Sequence, residues 1–164
     1  MTIRKMLIGA AAAMLTLSVP AAFAGDALVI SQIAVEADAS ALGNADAVAF
    51  WQQLDGDLET ALAAELVDHL GEGGQRLDVT VTEMALANAF TASLGVEDSR
   101  LAGTVLLVDA AGETLSEYTV EARADQARPY LGDLDVTTIS PDSAAFYGAL
   151  VQGFAAGVAD KLTE

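Results

Sequence analysis

The sequence predicts an α/β (α+β) single domain of order β-α-β-β-β-α, a mostly antiparallel four-stranded sheet packed against two long helices. Three features point there. A Val/Ile-rich run at 28–37 leads into a helix-periodic stretch. Alternating segments at 76–90 and 101–124 are broken by a short Gly-containing turn. An apolar stripe at helical spacing then closes the sequence.

Residues 1–24 stand apart from this domain. Arg4 and Lys5 precede an apolar run from Met6 to Val19, Pro20 ends it, and Ala22-Phe23-Ala24 sets small residues where a signal peptidase reads them. That is the pattern of a cleavable secretory signal, cut after Ala24. The run of about 14 residues is short of the ~20 that span a bilayer. A periplasmic domain over residues 25–164 is expected, with no transmembrane segment once the signal is removed.

Within that domain, residues 28–37 (LVISQIAVEA) read as a largely buried first strand. Residues 38–45 read as a loop. Asp46 is a good N-cap for a helix over 47–70, whose Trp51, Leu58, Leu62 and Leu66 share one stripe; Gly71, Gly73 and Gly74 end it. Residues 76–90 alternate as Leu77, Val79, Val81, then switch parity at Met84 and Leu86, which predicts a bulge near Glu83. Residues 101–109 and 113–124 flank Ala110-Ala111-Gly112 and read as a hairpin. Residues 125–140 read as irregular. A last helix over 141–162 takes Ser140 as N-cap and Pro141 at its first turn, and buries Tyr147, Leu150, Val151, Phe154 and Val158. Its ridge of Ala145, Ala149, Gly153 and Gly157 predicts close packing against the sheet or the first helix.

Composition removes several kinds of chemistry. The 164 residues carry 24 acidic and 7 basic side chains, and cleavage after Ala24 leaves five bases and a net charge of −19. Nucleic acid is excluded as a partner, since its phosphates need clustered Lys and Arg. With no cysteine there is no disulfide, thiolate metal site, cysteine nucleophile or lipid attachment through cysteine. One histidine, His69, excludes a metal site built on several imidazoles and weakens a Ser/His/Asp mechanism. No G-x-S-x-G elbow occurs, and Gly71-Glu72-Gly73-Gly74 lacks the Lys-Ser/Thr ending of a phosphate loop. No catalytic residue, cofactor or metal is assigned.

The segment Leu101-Ala-Gly103-Thr-Val105-Leu-Leu107-Val-Asp109-Ala-Ala-Gly112-Glu113-Thr-Leu115 resembles a recurring L-x-G-x-V-x-L-x-D-x-x-G-E-x-L hairpin. That hairpin occurs in small exported α/β proteins and lipoproteins of Gram-negative envelopes. The element order is similar to layouts of the Tol-system amino-terminal domain and of transport-auxiliary lipoproteins. This chain departs from the lipoproteins in lacking a lipobox cysteine. The resemblance implies an envelope accessory role and transfers no catalytic residue.

Three side chains stand out. Tyr130, beside Arg128 and Pro129 in an irregular segment, is expected to be exposed and is the best single contact residue. Asp55 falls on the first helix's apolar stripe, between Trp51 and Leu58, where burial would raise its pKa, although a small rotation sets it at the solvated edge. His69 lies at that helix's end, where it caps the C-terminus or, with Glu65 to orient it, serves as a base. The expected role is a non-catalytic binding or accessory module for an envelope protein or assembly. The alternatives are a small-molecule or cation-binding protein, the cation held by acids such as Asp125, Asp133 and Asp135, or a carboxylate-dependent hydrolase.

Overall fold

The computed structural model describes residues 28–43, 47–48, 50–87, 99–132, 139–140 and 142–164. The signal segment and its cleavage point lie outside them, as do Asp46, Asp133, Asp135 and Pro141. Strands β1 (Ile30–Ala37), β2 (Gln75–Ala85), β3 (Arg100–Val108) and β4 (Thr114–Arg123) form one sheet in the order β1-β2-β3-β4. The β1–β2 pair is parallel and the other two pairs are antiparallel. Helices α1 (Leu54–Glu65), α2 (Ala124–Ala127) and α3 (Ala144–Thr163) complete the chain.

One face of the sheet carries the core. Leu77, Val79 and Val81 of β2, Leu101 and Val105 of β3, and Val120 and Ala122 of β4 are buried in one cluster with Leu58 and Leu62 of α1 and Leu150, Phe154 and Val158 of α3. The expected stripe of the last helix is buried throughout, and of the first expected stripe Leu58, Leu62 and Leu66 are buried while Trp51 is half-buried. The opposite face is polar, and its arginines are paired: Arg76 with Asp78 at 2.7 Å, Arg100 with Glu83 at 2.6 Å, and Arg123 with Glu121 at 2.8 Å. The predicted bulge is present as a register shift between Val81 and Glu83. Gly112 adopts φ 88° in the hairpin turn, a conformation that costs a side-chain-bearing residue energy.

The structure differs from the sequence reading in several places: within the stretch 125–140, expected to be irregular, the chain forms the end of α2 and a 3-10 turn over Arg128–Leu131. The first strand is not largely buried: it is an edge strand, with only Ile30 and Val35 closed off from solvent. The first helix is 12 residues long rather than spanning 47–70. It is preceded by a 3-10 turn over Trp51–Gln53 and followed by another over Val67–His69, because Leu70 must turn extended (ψ 132°) to reach β1. The last helix starts three residues later than expected, with Ser143 as its N-cap; the Ser143 hydroxyl accepts from the Phe146 N–H at 3.2 Å. Ser140 instead hydrogen-bonds Asp142. The small-residue ridge of this helix packs on α2 and β4 rather than on α1. A Cβ at Gly153 would lie 2.8 Å from the Gln126 carbonyl oxygen.

Candidate functional site

The edge position of β1 creates the candidate site. Its N-terminal end is covered by the chain leaving α1, where Leu70 bridges Ile30 in parallel and the Gly71 N–H donates to the Ile30 carbonyl at 3.0 Å. Farther along, the Val35 N–H points away from β2 and donates to Glu59 Oε1, a side chain of α1, at 3.3 Å. Amides alternate along a strand, so that of Ile33 faces the same outer edge between these two capped points. Among the described residues, no backbone pairs with β1 on this side beyond Leu70 and Gly71.

Beside this edge runs a groove of about 560 Å³, in which Ile30, Ile33, Ala63 and Leu70 are apolar and Ser31, Gln32, Glu59 and Glu72 are polar. Leu70 is 43% exposed, a large apolar side chain left in solvent. One flank of α1 supplies the wall. Asp55, Glu59 and Ala63 recur at four-residue steps and so share a stripe on a helix. Partial burial, then the charges of Glu59 and Glu36, hold the Asp55 carboxyl above its ordinary pKa. Among the described residues, the ion pairs of Arg76, Arg100, Arg123 and Lys161 do not include Asp55, Glu59 or Glu36.

Two of the three singled-out residues flank this groove. Asp55 is exposed in the first turn of α1, at the solvated edge, not on the buried stripe. His69 is half-buried in the 3-10 turn, and its Nδ1 lies 3.3 Å from the Leu28 carbonyl oxygen. The histidine therefore ties the turn to the start of β1, and among the described residues Glu65 does not hold its ring. Tyr130 is elsewhere, 41% exposed on a 3-10 turn over Arg128–Leu131 that packs against α3. Partial burial and the charges of Glu65 and Asp160 raise its pKa. The sequence reading did not single out Glu59. Its i+4 relation to Asp55 was visible, but that this flank meets a strand edge was not.

A second constellation joins the helices. The Tyr147 hydroxyl donates to Asp57 Oδ2 at 2.7 Å, and its ring stacks on Phe50 with centroids 4.4 Å apart and planes 11° from parallel. Burial, the hydrogen bond to Asp57, and the Asp57 and Asp55 charges all push the phenol's pKa up, so it stays a donor. Gln53, Thr60 and Gln152 border the adjoining cleft of about 370 Å³. Among the described residues, no group of three or more His, Asp or Glu side chains is placed to hold a metal ion. No described helix is long and apolar enough to cross a membrane.

No protein-family model matches the chain, and no curated protein matches it. Solved structures share its layout distantly. A PelC dodecamer from Paraburkholderia phytofirmans is 10% identical, over 80% of this chain and 86% of that one, with a TM-score of 0.43. A minor lipoprotein from Acinetobacter baumannii is 14% identical, over 81% and 92%, at 0.41. An uncharacterized protein is 17% identical, over 82% and 91%, at 0.44. No family, partner or activity is carried over from them.

Proposed function

We propose that this chain is an exported periplasmic accessory protein that docks an extended segment of an envelope protein and performs no catalysis. The observation that carries this reading is the β1 edge, where outward amides lie beside an apolar-floored groove. Strand addition at such an edge draws affinity from main-chain hydrogen bonds and selectivity from side-chain pockets. Export rests on the signal pattern of residues 1–24.

A photo-crosslinking amino acid replacing Ile33, with Thr119 on β4 as the control position, tests the docking role in living cells. A discrete protein adduct at position 33 and none at 119 is the expected result. No adduct, or the same adducts from both positions, overturns it. Intact mass of the periplasmic product tests export: a chain beginning at Gly25 is expected, and retention of the full-length form in the cytoplasm refutes it.

A further inference from the structure

We infer that the β1 groove takes a basic extended segment of a partner protein, one alternating Lys or Arg with apolar residues. This rests on the docking role proposed above and specifies the chemistry of what docks. Glu59 lines the wall with Asp55 one helical turn before it, their charges close enough to raise the Asp55 pKa, and Glu72 lies at the other end. The floor between them is apolar, through Ile33, Ala63 and Leu70. Side chains of an added strand alternate between two directions, so apolar residues facing the floor leave every second residue free to meet the carboxylates.

Glu59 supplies the switch that makes this selective. Its Oε1 accepts from the Val35 N–H, the position that a carbonyl of an incoming strand would take. Strand addition displaces that carboxylate from its amide, and an unpaired carboxylate near two other acids is costly unless a cation meets it. A Lys or Arg on the incoming segment meets it; a neutral or acidic segment does not. The same charges disfavour a second copy of this chain, which brings 24 acidic side chains against 7 basic ones.

The test uses isotope-labelled protein, produced with its own leader, and three peptides of equal length. The first alternates Lys with Val or Ile. The second carries Glu for each Lys, and the third is the basic peptide with proline at its central apolar positions, which removes strand hydrogen bonding. Binding is read from the backbone amide signals. The basic peptide is expected to shift Ile33 and Val35, to bind at least about tenfold more tightly than the other two, and to weaken several-fold between about 20 and 200 mM salt. Asp55→Asn with Glu59→Gln keeps hydrogen-bonding side chains at both places and is expected to weaken binding about fivefold.

Equal binding of the Glu peptide overturns the inference. So does binding of the basic peptide without a shift at β1, which is generic attraction to an acidic surface. Indifference to the double substitution, or a concentration-dependent dimer that gives the same shifts without peptide, also overturns it. An adduct at position 33 in cells with no basic-peptide binding refutes the charge preference alone; absence of both refutes the docking role as well.

Discussion

Tyr147 joins the two long helices through one hydrogen bond, and its removal is a direct measure of what that bond contributes. Tyr147→Phe leaves the ring stacked on Phe50 but strips Asp57 of its donor. Stability is expected to fall by about 1–2 kcal/mol in urea unfolding. The same pair makes a pH prediction. The folded phenol has a raised pKa, so its contribution is fully present below the unfolded value of about 10 and is lost as pH rises toward the folded value. The urea midpoint of the native protein should therefore decline above about pH 10, and part of that decline should vanish in Tyr147→Phe. Asp55 behaves in the same sense at the acidic end. Its raised pKa makes the charged form the unfavourable one, so Asp55→Asn is expected to raise the midpoint at neutral pH and to leave it nearly unchanged near pH 3.

In α3, two glycines give opposite predictions. Gly148 has open space where a Cβ would go, so Gly148→Ala is expected to stabilise the helix by up to about 1 kcal/mol. Gly153 lies against the Gln126 carbonyl, so Gly153→Ala is expected to destabilise it by about 1–3 kcal/mol. Thermal melts of the two variants should move in opposite directions from the native protein. Much of this level was legible in the sequence. The parity switch at Met84 gave the bulge, Gly112 gave the turn, and the spacings of Leu58 with Leu62 and Leu150 with Phe154 gave the buried faces. Each of those is a local signal. The trimmed end of α1 was not legible, because what stops the helix is Leu70 reaching a strand forty residues earlier. The edge placement of β1 and the groove were hidden for the same reason. Burial on two faces or on one depends on which neighbour pairs, and a Val/Ile-rich run reads alike in both cases.

A formal charge of −17 makes this chain repel itself, and added salt should relieve the strain. The melting temperature is expected to rise between about 20 and 200 mM sodium chloride, since screening here removes more repulsion than attraction. The other sheet edge uses charge differently. Two copies of β4 paired antiparallel about Thr119 would set Glu117 against Glu121, so like charges oppose the association. Replacing both by Thr is expected to produce larger species in sedimentation velocity, whereas the native protein resists edge pairing there. The β1 edge has a further consequence for how the sheet comes together and opens. β3 and β4 close through a five-residue connection, but β1 pairs in parallel with β2 across a gap that includes all of α1. Such a distant contact forms late in folding and is released early. Amide hydrogens of β1 should then exchange with solvent sooner than those of β3. Each transient departure of β1 would bare the apolar margin of β2, so the strand proposed to receive a partner is also the seam at which this sheet is expected to come apart first.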